Sequence, residues 1–155
     1  MTLLIRVALF LLFIVELVVG GWNQLWPASF YLNFPTVDQT PPFSEHYARD
    51  FGGATLGIAL LLAIAVVKPA AHFVVPAAAA YSLFSVPHFF FHLEHLEHAT
   101  PAEAVLLTAG NAIVAILGIL AIVLVLVRDR RARRVADPAV PRTFWYERTR
   151  MLVRG

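Results

Sequence analysis

Apolar residues dominate four stretches of the chain, at about 3–20, 51–67, 71–91 and 101–127, and polar residues collect between and after them. A helix rises about 1.5 Å per residue, so each run comes close to or passes the roughly 20 residues needed to cross about 30 Å of hydrocarbon. The pattern predicts an all-α protein: an integral membrane four-helix bundle over residues 1–127, with 128–155 as a basic tail. A cleaved signal peptide is the rival reading of the first run. Glu16 suits a signal core poorly, however, and no Ala-x-Ala pattern follows.

Composition moves the picture the same way. Of 155 residues, 59% are hydrophobic and only 14% charged, with a mean hydropathy of +0.73, whereas soluble domains carry about a quarter charged residues. The absence of cysteine excludes disulfides, thiolate metal sites and cysteine nucleophiles. The net charge of +2 hides an asymmetry: residues 128–155 hold nine arginines against three acids, and the rest three bases against seven acids. Arg6, Lys68 and the Arg128–Arg134 run flank the spans on one side, which the positive-inside rule makes cytoplasmic. Both termini are therefore expected in the cytoplasm, in a multi-pass protein of the cell membrane. The basic tail is expected to face anionic lipid rather than nucleic acid, and Phe144-Trp145-Tyr146 with Met151-Leu152-Val153 suggests a segment on the membrane surface.

Between the first two spans, Trp22, Trp26, Phe30, Tyr31, Phe34 and Phe43 alternate with Pro27, Pro35, Pro41 and Pro42. Aromatic residues of this kind favour the headgroup level, so the loop is expected to cap the bundle, with Pro27 opening a short surface helix. Glu45, His46, Arg49 and Asp50 crowd the start of the second span, either as a solvated helix start or as part of a site. Gly53 and Gly57 give a small-residue face for close helix approach. Thr100-Pro101-Ala102-Glu103 reads as a capping box that opens the fourth span, and Asn111 lies about 15 Å along it.

The candidate chemistry lies in Pro87–His98, where four of the six histidines fall within eleven residues. At about 100° per residue Tyr81, Ser85, His88, His92 and His95 share one helix face, while Glu94 and Glu97 point away. The topology brings this stripe toward Glu16, His46, Asp50 and Glu103 at the outer ends of the four spans. Glu16 either reaches the interface, pairs with Arg49, or faces the bundle interior with the histidines. Imidazole and carboxylate together suit zinc, copper or iron, so His88, His92, His95, His46, Glu16 and Asp50 are the candidate metal ligands. Tyr81, Ser85 and Asn111 are candidate contacts to an organic cofactor. Haem between two imidazoles, or a quinone hydrogen-bonded by the stripe, is the lesser expectation. A bland alternative makes the histidines a wet helix end with Glu94 and His98 paired. The spacing also echoes the histidine boxes of membrane di-iron hydroxylases, but too few histidines are present and His72 falls on the opposite face.

Gly21-Trp22-x-x-Leu25-Trp26-Pro27-x-Ser29-Phe30-Tyr31, Glu45-His46-x-x-Arg49-Asp50-Phe51-Gly52 and Pro87-His88-x-x-x-His92 resemble a group of small four-span bacterial membrane proteins, common in actinobacteria and loosely DoxX-like. The resemblance covers residues 1 to about 127 and implies the four-span architecture. It implies a link to redox membrane complexes, and no catalytic residue follows from it. The expectation is thus a His/carboxylate pocket at the extracytoplasmic helix ends that binds a metal ion or a small redox-related ligand. The alternative is a non-catalytic accessory subunit docked on a larger membrane complex or on copies of itself. Whether the chain is an enzyme is left open.

Overall fold

The structure is a computed structural model that describes residues 1–39 and 42–136. Five helices follow one another: α1 (Thr2–Leu25), α2 (Pro27–Asn33), α3 (Glu45–Val67), α4 (Ala71–Glu94) and α5 (Pro101–Ala136), with a 3-10 turn at Val37–Gln39. Four of them, all but α2, are long and apolar enough to cross a membrane. No strand occurs among the described residues, so the fold is the expected helical bundle.

Local sequence explains the boundaries. α1 runs on past Gly20, because nothing breaks it until Pro27 forces Trp26 out of the helical region, to φ −136° and ψ 61°. Pro27 then serves as the first residue of α2. Ser44 caps α3 by accepting from the Tyr47 amide at 3.4 Å. Lys68-Pro69 turns the chain directly into α4, which continues through Pro76 and Pro87. α5 opens on the expected capping box: the Thr100 amide and hydroxyl donate to Glu103 Oε2 at 2.8 and 2.7 Å. Arg128 does not end this helix, which extends to Ala136. The aromatic and arginine-rich segment beyond lies outside the described residues.

The spans alternate in direction, so α2, the starts of α3 and α5 and the end of α4 share one end of the bundle, here the lid end. α1 packs most extensively on α3, and α4 on α5. Two hydrogen bonds hold the α1–α3 pair: Arg6 Nη2 donates to the Val67 carbonyl at 3.5 Å, and at the lid end Arg49 Nη1 donates to the Gln24 carbonyl at 2.5 Å. The close approach of these helices is at Gly20 and Gly52, where backbone meets backbone. The predicted Gly53 and Gly57 face is not the one used; a Cβ on Gly57 would meet nothing within 4 Å.

Packing is uneven along the bundle axis. Ile5, Leu9 and Leu12 of α1, Leu62 and Ala65 of α3, Val74, Ala77, Ala78 and Tyr81 of α4, and Ala121 and Val125 of α5 form one buried core. All of it lies away from the lid end. Large apolar side chains also cover the outer surface, Leu3, Leu60, Leu83 and Ile116 among them, each more than half exposed. In water such a surface would aggregate; in a bilayer it is the ordinary lipid contact.

Candidate functional site

The lid-end half of the bundle encloses a cavity of about 910 Å³. Its walls come from all four spans, and α2 with the following turn closes it from above. Helix lengths place its polar floor. Glu16 lies nine residues below the end of α1, Ser85 nine below the end of α4, and Asn111 ten beyond the start of α5. At about 1.5 Å per residue these three lie at one level, about 14–15 Å beneath the lid end.

Glu16 is 2% exposed and Ser85 2%. Glu16 Oε2 and Ser85 Oγ are buried without a hydrogen-bond partner. Tyr81, 1% exposed, stands beside both, its hydroxyl the nearest candidate partner for Ser85 Oγ. Buried polar atoms are normally bonded, and leaving one unpaired costs on the order of 1–3 kcal/mol. Two such atoms lie at the base of this cavity.

Higher up, the walls turn aromatic. His88 stacks on Phe84 at 5.0 Å between ring centroids and meets His92 edge-on at 4.5 Å. Phe84 in turn packs against Phe51 of α3 at 5.6 Å. The lid is one aromatic cluster: Phe30 and Phe34 stack at 4.7 Å, and Trp22 meets Phe30 edge-on at 5.6 Å while its indole N–H donates to Ser29 Oγ at 3.2 Å. Behind the lid Thr36 holds φ at 70°, a left-handed conformation that branched residues rarely take.

The predicted site residues divide into two groups. Glu16, Tyr81, Ser85, His88, His92 and Asn111 line the cavity. His95, His46 and Asp50 do not. α4 ends at Glu94, so His95 leaves the stripe; its ring stacks on Phe91 at 4.2 Å and its Nδ1 lies 2.7 Å from the Phe91 carbonyl oxygen. His46 and Asp50 pair at 3.3 Å on the exposed surface of α3, which is the solvated helix start weighed above. Glu16 does not pair with Arg49, whose guanidinium binds Glu45 at 2.9 Å and the Gln24 carbonyl. The expected convergence of the four helix ends is met only in part, Glu103 capping Thr100 instead, and among the described residues no group of three or more histidine or acidic side chains could hold an ion.

Sequence reasoning missed Asn23, 4% exposed, and the lid residues Phe30 and Phe34, which also line the cavity. The signal was available for Asn23, which sits seven residues after Glu16 and hence on the same helix face. Comparison with protein-family models, with curated proteins and with solved structures finds no match.

Proposed function

We propose that this membrane protein is a binding module for a small, mainly apolar, membrane-soluble molecule. The ligand occupies the cavity beneath α2 with its polar group down against Glu16, Tyr81 and Ser85. One observation carries the reading: a cavity of about 910 Å³ has two polar atoms at its floor that are buried and unpartnered, Glu16 Oε2 and Ser85 Oγ. Small-molecule sites have this anatomy, predominantly apolar walls with a few polar groups that fix orientation. A ring-bearing ligand of quinone size fits the volume and the aromatic walls.

A metal ion is the weaker reading. His88 and His92 offer two imidazoles, and zinc, copper or iron would take its remaining ligands from Glu16 or from the bound molecule. The orphaned atoms lie about two helical turns below His92, which favours an organic molecule that spans both levels.

We place the cavity on the extracytoplasmic side. Arg6, Lys68 and the arginines of α5 gather at the opposite end of the bundle, where short basic flanks are retained in the cytoplasm. Both termini are cytoplasmic in this orientation.

The test is extraction of the protein purified in mild detergent, followed by mass spectrometry of the released small molecules. A Gly110→Phe variant is the control. Gly110 lines the cavity and a Cβ there meets nothing within 4 Å, so the ring fills open space without displacing backbone. A stoichiometric molecule present in the wild type and lost from Gly110→Phe supports the reading. An empty cavity in both, with co-purifying membrane proteins, favours the accessory-subunit alternative.

A further inference from the structure

The cavity walls carry one carboxylate, Glu16, and no lysine or arginine. Both arginines of the bundle interior's neighbourhood are engaged elsewhere: Arg49 binds Glu45 and the Gln24 carbonyl, and Arg6 reaches the Val67 carbonyl at the far end. Among the described residues, then, no side-chain ammonium or guanidinium stands against Glu16. A lone carboxylate in hydrocarbon surroundings has two ways to be neutralised, by a proton or by a cationic ligand. The walls above it are built for the second. Phe51, Phe84 and the lid rings Phe30 and Phe34 present aromatic surface to the same space, and aromatic faces attract cations most strongly where water is excluded.

We infer that the molecule held in this cavity is a lipophilic organic cation, an amine or quaternary ammonium carrying apolar or aromatic groups, with Glu16 as its counter-ion. The inference rests on the reading of the cavity as a binding site and narrows it by charge. Fatty acids and anionic phospholipid headgroups bring a second negative charge beside Glu16 and are rejected. A neutral quinone-like ring fits the volume but leaves the carboxylate without a counter-charge. His88 and His92 extend the aromatic wall as rings, through the stack on Phe84.

The experiment uses tetraphenylphosphonium and tetraphenylborate, ions of nearly the same size and shape and opposite charge, with the purified full-length protein in detergent and empty micelles as the blank. Equilibrium dialysis should show saturable binding of the cation, at least about tenfold tighter than of the anion. Glu16→Gln should remove that preference, while Asp50→Asn, on the exposed surface of α3, should keep it. Equal affinity for the two ions in the wild type overturns the inference, and this comparison does not depend on how any variant folds. Unchanged cation binding by Glu16→Gln overturns it as well. Tighter binding of a neutral quinol analogue than of the cation sinks the charge assignment and leaves the binding-module reading standing. No saturable binding of any of the three probes overturns both.

Discussion

Gly52→Ala tests how the lid end of the bundle is held together. A methyl at Gly52 falls 2.6 Å from the Gln24 nitrogen, 2.9 Å from the Gly20 carbonyl oxygen and 3.1 Å from the Asn23 carbonyl carbon. All three are backbone atoms of α1, so no side chain can rotate out of the way. Non-bonded contacts relax near about 3.5 Å, and α1 and α3 must part by close to 1 Å at this crossing. Overpacking of a filled interior costs about 1–3 kcal/mol. The separation also lifts the Gln24 carbonyl from the half-exposed Arg49, which adds on the order of 1 kcal/mol. A total of about 3 kcal/mol corresponds to a fall in Tm of roughly 6–12 °C for a chain of this size. Circular dichroism of the purified protein in detergent measures it. Gly57→Ala is the control on the same helix, because its methyl meets nothing within 4 Å and helix propensity favours it by up to about 1 kcal/mol. The reasoning fails if the two variants melt together, or if Gly52→Ala melts at or above the wild type.

Glu103→Ala breaks the reciprocal cap on Thr100 and should cost about 0.5–2 kcal/mol, seen as faster amide exchange confined to the first turn of α5. Exchange unchanged in that turn would count against the cap. Thr36→Asn relieves a branched residue held at φ 70° and should stabilise the lid turn by about 1 kcal/mol, read as slower proteolysis between α2 and α3. Faster cleavage would contradict the assignment of strain to that position.

The number and order of the spans were legible in the chain because lipid leaves so few choices: a backbone in hydrocarbon must bond to itself, and an apolar run of sufficient length becomes a helix. Helix ends were harder to read, since hydropathy reports where hydrocarbon stops and not where the helix does. The first run loses its apolar character at Gly20, yet α1 continues to Leu25 because the physical stop is Trp26-Pro27. Arg128 ends the apolar run and leaves the ladder of α5 intact. The same confusion displaced part of the site. His95 shares a helical phase with His92 only while the helix lasts, and α4 ends at Glu94. His46 and Asp50 were assigned to the site by proximity to a helix end, but i,i+4 pairing satisfies them on the exposed surface of α3.

Depth, in contrast to direction, follows once the ends are known, and it changes what the polar residues mean. With α1 cut at Gly20, Glu16 sits one turn below the surface, where it could reach water. With α1 running to Leu25, it sits about 14 Å below the helix end, level with Ser85 and Asn111 from two other helices. The Glu16 carboxylate is 2% exposed and so does not snorkel to water, and Arg49 and Arg6 are bonded elsewhere. Lipid supplies the apolar surroundings of the bundle, so inward positions are free to be specific. One half of the bundle uses that freedom for a close-packed core, and the other half leaves a hollow with two unsatisfied polar atoms at its base. An arrangement that lowers stability in one place while the same helices pack fully a few turns away is the expected signature of a site kept for a ligand.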